Sequence, residues 1–279
     1  NKSKLTATSY SSRKSPEFMN NELVRCNKCE LVYSISIPKE ISLFDNYANC
    51  EYVSSIEDDY AAETYIHYLF KNIPKLKEKN FSNVLEIGSG SSAFLNHLSK
   101  YNFENLIGIE PSKKAKNSLV NISNKIKILS KYKPEEYEEN SLDLFCSFMT
   151  LEHLLDPKGT LNEALRILKP GGTLAIAIHN VDSLINKIMG KYSPIIDLEH
   201  LQLFSKKSIK NLLVDINFRN IKITNYKNKY PLAYWLKLLP VKIFKSINYD
   251  SKGKRKFLAN IPISFKAGNI FITANKSIN

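Results

Sequence analysis

Apolar and polar positions alternate along the central part of the chain in a pattern that predicts strands and helices in regular succession. Between Asp59 and Lys79 the apolar residues recur at helical spacing, which predicts a helix in front of a core. From Ser82 onward, short apolar strands alternate with amphipathic helices. We predict strands at 83–87, 105–109, 125–129, 142–148, 173–178, 219–225 and 269–274, and helices at 92–100, 112–121, 161–168 and 206–215. This order is typical of an α/β fold with a doubly wound, mostly parallel sheet that carries helices on both faces.

The two ends of the chain differ from this alternating region. We divide the chain into an N-terminal arm over 1–58, a core over 59–226, an insertion over 227–267 and a final strand of the core over 268–279. The arm lacks strong periodicity, whereas the insertion is rich in aromatic and basic residues. The 279 residues suffice for one α/β domain of about 150–200 residues with such appended pieces.

The insertion has the pattern of an amphipathic helix with a basic face. Its apolar residues at helical spacing are Leu232, Trp235, Leu236, Leu239, Ile243 and Phe244. Pro240 is expected to kink this run. Because the insertion precedes the last strand, beside the edge of the sheet where ligands bind, we predict that 230–265 covers an acceptor site. Resting on an anionic membrane and packing on the core are the alternatives for the same helix.

Composition limits the location and the partners of the protein. The apolar segments are well short of the roughly 20 residues that span a bilayer, and residues 1–19 are polar, without a stretch like a signal peptide. We therefore expect a cytoplasmic protein, whose contact with a membrane would be peripheral. The formal charge of +13 on its own suggests a polyanionic partner. Because the lysines are scattered, and Lys, Asn and Ile are abundant throughout as AT-rich codons would produce, we do not expect a nucleic acid to be the partner.

Two of the cysteines have the spacing of half a zinc knuckle. Cys26 and Cys29 are separated by two residues. A structural zinc site needs four ligands, and the nearby candidates Cys50 and His67 have no recognisable spacing. We therefore interpret the pair as a vestigial or partial knuckle and expect no metal site, with well under one zinc ion per chain.

The turn after the first core strand predicts a cofactor site. Gly88 and Gly90 lie in it directly before a helix, where glycine lets the backbone approach a bulky ligand. Glu110 ends the next strand, where a carboxylate can accept hydrogen bonds from both hydroxyls of a ribose. The glycine spacing alone also fits a nicotinamide dinucleotide. Glu86 favours the alternative, S-adenosylmethionine (SAM), because a carboxylate there repels a pyrophosphate and attracts an ammonium or a sulfonium group.

Five segments in this order resemble the class I SAM-dependent methyltransferases: 84–90, 109–112, 142–144, 151–157 and 168–172. In addition, 197–200 with Phe204 and Ser205 resembles the bacterial branch associated with methylation of glycans and natural products. The resemblance implies a Rossmann-like, seven-stranded sheet whose final strand is antiparallel. It also implies methyl transfer from SAM to a sugar or other small-molecule acceptor, with O-methylation favoured and ring methylation of a menaquinone-type acceptor open. A non-catalytic methyltransferase-like scaffold and an NAD-dependent oxidoreductase are the rival readings.

The resemblance also assigns two further positions around the cofactor. Members of the family commonly carry an acidic residue after the third strand, which binds the amino group of adenine. Lys131 occupies this position, and a lysine cannot accept that hydrogen bond. Either Glu135 or a backbone group substitutes for it, or adenine is held mainly by packing, or the affinity for the cofactor is poor. Met149, after the fourth strand, is our remaining predicted cofactor contact.

Histidines at the predicted carboxyl edge of the sheet are candidate catalytic bases. His153 follows the fourth strand, where the resemblance places the acceptor pocket, and His200 precedes the helix that starts near Ser205. His179 follows the fifth strand. A neutral imidazole can take a proton from an acceptor hydroxyl near neutral pH. The alternatives are that Glu152 and His153 form a structural turn cap and that the other two histidines bond to backbone carbonyl groups.

Overall fold

The computed structural model describes residues 21–36, 45–49, 56–77, 81–117, 123–238 and 261–278. Its strands are β1 (Leu23–Arg25), β2 (Val32–Ser34), β3 (Phe81–Ile87), β4 (Phe103–Ile109), β5 (Ile126–Leu129), β6 (Leu142–Phe148), β7 (Leu168–His179), β8 (Gln202–Leu203), β9 (Arg219–Asn225), β10 (Asn228–Pro231), β11 (Pro262–Phe265) and β12 (Asn269–Asn275). Its α-helices are α1 (Ile56–Asn72), α2 (Ala93–Leu98), α3 (Lys113–Asn117), α4 (Pro157–Ile167), α5 (Leu184–Met189), α6 (Lys206–Asp215) and α7 (Leu232–Lys237). None of the helices in these ranges is both long and apolar enough to cross a membrane.

Seven strands form the central sheet, in the order β5-β4-β3-β6-β7-β12-β9. Neighbours from β5 to β7 run parallel. The strand β12 lies between β7 and β9 and is antiparallel to both. The predicted fold, a doubly wound sheet with an antiparallel final strand, is therefore confirmed. The chain order reverses beside β3, and in such sheets ligands bind beyond the carboxyl ends of the strands at this point.

The sheet separates two layers of buried apolar side chains. Along β7, Ala175 and Ala177 face the layer that contains α1 and α2, whereas Leu174, Ile176 and Ile178 face the layer that contains α4 and α6. This alternation follows from the period of two residues in a strand, and both faces are covered, as expected of a parallel sheet.

The predicted arm and insertion each contribute a small sheet. In the arm, β1 pairs with β2, and β2 pairs with β8, so the described part of the arm is attached to the core. In the insertion, β10 pairs with β11, and Tyr230 and Ala233 are buried. The helix α7 includes the predicted Leu232, Trp235 and Leu236. The predicted continuation through Leu239, Pro240, Ile243 and Phe244 lies outside the described residues.

Candidate cofactor and acceptor site

A cavity of about 690 Å³ lies beyond the carboxyl ends of the parallel strands. It has the size of pockets that bind small molecules and cofactors. The predicted site residues that line it are Glu86, Gly88, Glu110, Met149, His153 and His200. The amide of Gly90, between the lining residues Ser89 and Ser91, is bonded to the carboxylate of Glu110. The structure thus brings together residues that are up to 114 positions apart, from Glu86 to His200.

The glycine turn after β3 depends on backbone conformations that favour glycine. Gly88 has φ 75° and Gly90 has φ 52°, both in the left-handed region. A Cβ atom on Gly88 would lie 2.2 Å from Oγ1 of Thr150, in the turn after β6. Gly88 is therefore required both by its own φ and by the close approach of the neighbouring turn.

Glu110 connects the turns that follow β3 and β4. Its Oε2 accepts a hydrogen bond from the amide of Gly90 at 2.7 Å, and its Oε1 accepts one from the amide of Ser112 at 2.8 Å. Burial raises the pKa of this carboxyl, and the two hydrogen bonds act in the opposite direction. Since a carboxylate has about four acceptor positions, it can hold these amides and still accept bonds from a ligand.

Glu86, at the end of β3, is a buried carboxyl with an unsatisfied oxygen. Burial, followed by repulsion from Glu110, raises its pKa well above the ordinary value. Its Oε2 has no hydrogen-bond partner among the described residues. A buried carboxylate in this state is costly, and a cationic ligand group would offset the cost. The residue therefore fits the ammonium or the sulfonium group of SAM.

The turn after β5 forms the end of the cavity that we assigned to adenine. Ser130, Lys131 and Tyr132 line it. Lys131 is exposed and offers only donors. Glu135, the candidate substitute, is also exposed and is not among the lining residues. Ile109 and Pro111 line the cavity beside Glu110 and supply apolar surface for an aromatic ring.

Met149 lies in a strained turn that lines the cavity. Its φ of 52° is unusual for a residue with a side chain. Its amide donates to the carbonyl oxygen of Ala177 at 2.7 Å, and its sulfur accepts a bond from the hydroxyl of Tyr226 at 3.8 Å. These contacts stabilise the strained conformation. Backbone strain of this kind is characteristic of functional sites.

Three histidines that line the cavity lie close together. The ring centroids of His153 and His200 are 4.7 Å apart, and those of His179 and His200 are 5.2 Å apart. Nδ1 of His153 lies 3.0 Å from the carbonyl oxygen of Glu199 and 3.0 Å from the hydroxyl of Tyr47. Nδ1 of His200 lies 2.9 Å from the carbonyl oxygen of Ile195. Because a carbonyl oxygen only accepts, the contacts with Glu199 and Ile195 are made by protonated Nδ1 atoms.

Glu152 holds the end of β7, as the alternative of a structural cap predicts. Its Oε1 accepts bonds from the amide of His179 at 2.7 Å and from Nδ1 of His179 at 2.9 Å.

Burial lowers the pKa of His153, and the charge of Glu152 opposes this effect. The imidazole of His153 is therefore neutral at neutral pH.

The cavity is acidic although the chain is basic. Its acidic lining residues are Asp58, Glu86, Glu110, Asp156, Asp197 and Glu199, whereas Lys131 is the only lysine or arginine among the lining residues that the structure describes. Tyr47 and Asp58 come from segments without a recognisable motif, so their place in the cavity could not be predicted from the sequence. Their only signal in the sequence is proximity to the start of the core. A cavity with this charge attracts cations and repels polyanions.

The cysteine pair lies away from this site. Cys26 and Cys29 are free and partly exposed, at the turn between β1 and β2. Cys50 lies outside the described residues. The ring of His67 packs against Tyr68 of the same helix. Among the residues described, the cysteine pair belongs to no group of three potential metal ligands.

Comparison with known proteins gives one family and several similar structures. A family described as "Methyltransferase domain" matches residues 58–223, more than half of the chain. The uncharacterized protein MJ1123 of Methanocaldococcus jannaschii is 28% identical over 186 residues, which are 66% of this chain and 84% of that protein.

Two solved structures have a similar fold. One is a SAM-dependent methyltransferase from Archaeoglobus fulgidus, with a TM-score of 0.54 and 18% identity, covering 85% of this chain and 100% of the other. The other is a SAM-dependent methyltransferase from Thermotoga maritima, described as a possible histamine N-methyltransferase, with a TM-score of 0.50 and 19% identity, covering 80% of this chain and 92% of the other. At these identities the likeness is one of fold.

Proposed function

Because the chain belongs to the methyltransferase domain family, we propose that it transfers a methyl group from SAM to a hydroxyl group of a sugar or another small, uncharged acceptor. The protein is a SAM-dependent methyltransferase, and SAM is its cofactor. The observation that carries the choice of acceptor is the group of three histidines at one end of an acidic cavity.

The residues around the glycine turn support one placement of SAM. Gly88 and Gly90 would let the backbone approach its methionine part. Glu86 would bind the ammonium group, since its Oε2 lacks a partner among the described residues. Glu110 would bind the ribose hydroxyls. Met149 would contact the cofactor from the turn after β6, where it lines the cavity.

The histidines support a hydroxyl acceptor. The sulfonium of SAM is an activated electrophile, so the enzyme mainly has to align the acceptor and exclude water. A hydroxyl must also lose its proton as the bond from oxygen to the methyl carbon forms. The imidazole of His153 would take this proton, while the carbon–sulfur bond breaks and S-adenosylhomocysteine leaves. The imidazole of His200 is the second candidate base.

The charge of the cavity supports an uncharged acceptor. Six acidic residues line it. A phosphorylated acceptor or a nucleic acid would be repelled, in agreement with the partner expected from the sequence. The same charge favours SAM, which carries a sulfonium and an ammonium group.

The insertion supports a cover over the acceptor. Tyr230, Tyr234 and Leu238 line the cavity, and the rings of Tyr230 and Tyr234 are 4.5 Å apart. Since Tyr230 is also part of the buried core, we propose that β10 and α7 form the wall of the acceptor site.

We also propose that the protein, which we place in the cytoplasm, touches an anionic membrane surface. Leu184 and Ile188, one turn apart on α5, are 75% and 76% exposed, and Tyr192, in the 3-10 helix that follows, is 52% exposed. Lys187 and Lys191 lie in the same segment, so the exposed apolar side chains are accompanied by positive charge, as in peripheral membrane segments. The segment runs on to Pro194, which lines the cavity, so a lipid-linked glycan could reach the site from this surface.

The proposal is tested by identifying both substrates. Denaturing the purified protein should release SAM or S-adenosylhomocysteine, identified by mass. The protein should then be incubated with isotope-labelled methyl-SAM and a panel of sugars, phenols, amines and phosphorylated sugars. We expect labelled methyl ethers from uncharged hydroxyl acceptors. Methylated amines as the main product would overturn the choice of a hydroxyl.

A further inference from the structure

Glu152, His179 and His200 form a group of potential metal ligands, which we call the triad. One ligand atom from each residue lies within 4.8 Å of the others. The three residues come from different places: the 3-10 helix Leu151–His153 after β6, the end of β7, and the turn before β8. It is the one group of three or more such residues within the ranges that the structure describes.

Only one of the two carboxylate oxygens of the triad has hydrogen-bond partners among the described residues. The side chain of Glu152 is fully buried. Its Oε1 accepts both bonds from His179, whereas its Oε2 has no hydrogen-bond partner among the described residues. A cap for the end of β7 needs one oxygen. A second buried oxygen without a partner is costly, and it indicates a ligand that the polypeptide does not supply.

The geometry is close to that of ligands around one ion. Nδ1 of His179 and Oε1 of Glu152 are 2.9 Å apart. Two ligand atoms bonded at about 2.1 Å to one ion lie about 3.4 Å apart at the tetrahedral angle that Zn²⁺ prefers, so a small shift of these side chains would suffice. Binding of an ion through Nδ1 of His179 and the unpartnered Oε2 of Glu152 would move the ring proton of His179 from Nδ1 to Nε2, so the imidazole stays neutral.

A hydrogen bond to a backbone carbonyl group orients the third ligand, His200. Nδ1 of His200 donates to the carbonyl oxygen of Ile195 at 2.9 Å, so Nε2 would be its ligand atom. A bond of this kind, from the second ring nitrogen to a backbone carbonyl, is the usual support of a metal-binding histidine.

We propose that the triad binds one divalent transition-metal ion, such as Zn²⁺ or Mn²⁺, at the acceptor end of the cavity. Two imidazoles and one carboxylate suit these ions, whereas Mg²⁺ and Ca²⁺ prefer ligand sets made of oxygen. His179 and His200 line the cavity, so an ion held by them would have open positions towards an acceptor. An acceptor oxygen bound there would be polarised by the ion. This role rests on the proposed function, but metal binding itself does not.

The test measures metal binding without SAM and without an acceptor. The protein is prepared without a histidine tag, in a Cys26→Ser/Cys29→Ser background that removes the thiol pair, and is stripped with a chelator. It is then titrated with Co²⁺, followed by its visible absorption, and with Zn²⁺, followed by calorimetry. We expect one equivalent to bind, with no thiolate-to-cobalt charge-transfer band.

Three variants locate the site. His200→Asn keeps a donor towards Ile195 but removes the ligand, and should weaken binding by about 100-fold or more. His179→Asn tests the same point at a side chain that is 19% exposed and less critical for folding. His97→Asn is the matched control, because His97 pairs with Asp59 outside the triad, and it should bind as tightly as the parent.

Two results would overturn the proposal. The first is the absence of saturable binding in the background that lacks the two cysteines. The second is unchanged affinity in both His200→Asn and His179→Asn. If metal binds only when Cys26 and Cys29 are present, the ion belongs to the cysteine pair. None of these readouts depends on methyl transfer, so a failure here is distinct from a failure of the proposed function.

Discussion

Burial in the folded protein disfavours the ionised form of Glu86, whereas binding of a cationic group of the cofactor favours it. Its carboxyl is buried beside Glu110, and both effects raise its pKa. Ionising it in the empty protein therefore costs free energy. A cationic group of SAM would favour the ionised form, so SAM binding would offset the free energy that this ionisation costs.

We predict that Glu86→Gln makes the SAM-free protein more stable and weakens SAM binding. An acid whose pKa is higher in the folded than in the unfolded state loses stability as the pH rises above its unfolded value, and the neutral amide avoids this loss. The melting temperature at pH 7 should rise, by about 2–4 °C for each kcal/mol, while calorimetry shows a larger Kd for SAM. Glu63→Gln, exposed on α1, is the control. A lower melting temperature with an unchanged Kd would count against this role.

We predict that Glu110→Ala raises the Kd for SAM by about 10-fold or more, the equivalent of losing one charged hydrogen bond. Part of this effect should act through the glycine turn, because Glu110 also holds the amides of Gly90 and Ser112. Glu104→Ala is a matched control on the same strand, where Glu104 is exposed. Equal Kd values for the two variants would remove Glu110 from the cofactor site.

Sequence reasoning found the residues of this site that belong to local motifs and missed those that depend on distant contacts. Gly88 and Glu110 could be predicted because each lies at the end of a strand, in a turn with a recognisable pattern. Tyr47 could not, because its position beside His153 depends on how the arm folds over the core. The pairing of Glu152 with His179 likewise joins two strand ends that are 27 residues apart.

At the scale of elements, the strands and helices predicted for the core are present in the described residues, although their ends shift and 118–121 of the helix predicted at 112–121 lie outside those residues. The helix predicted from 161 begins at Pro157, because Asp156 caps it by accepting a bond from the amide of Gly159. A proline at the first helical position adds to this start. Apolar periodicity detects the packed face of a helix, and it therefore missed this polar first turn.

We predict that Tyr234→Ala, in the wall formed by α7, raises the KM for the acceptor by about 10-fold and leaves the Kd for SAM within about twofold, because it removes binding surface for the acceptor alone. Phe265→Ala is the control: its ring is 45% exposed and contacts Trp235, and it is not among the lining residues. A larger Kd for SAM with an unchanged KM would place the wall at the cofactor instead.

At the scale of the whole molecule, the charge is divided between surface and cavity. The chain carries a formal charge of +13, whereas the charged residues that line the cavity are mainly acidic. The excess of lysine therefore lies outside the site. Sequence composition could predict the total charge but not this separation, because the acids that meet in the cavity are dispersed along the chain.

We predict that the protein binds anionic vesicles through the exposed apolar side chains of Leu184 and Ile188 on α5. The protein should sediment with vesicles of phosphatidylglycerol and phosphatidylcholine, and not with phosphatidylcholine alone, since Lys187 and Lys191 supply the attraction. Leu184→Ser/Ile188→Ser should lose this binding and retain SAM binding. Val214→Ser, at an apolar side chain that is 46% exposed on α6, should behave like the parent. Sedimentation of the double variant at the parent level would refute the membrane contact.

The position of β12 sets the order in which the sheet can be completed during synthesis. This strand is made after β7 and β9 but lies between them, and β9 pairs with no other strand of the sheet. Until 269–275 has left the ribosome, the facing edges of β7 and β9 have no partner. Open strand edges are sites of aggregation. A nascent chain that stalls before β12 is therefore expected to need protection by chaperones, although its cofactor turns have already been made.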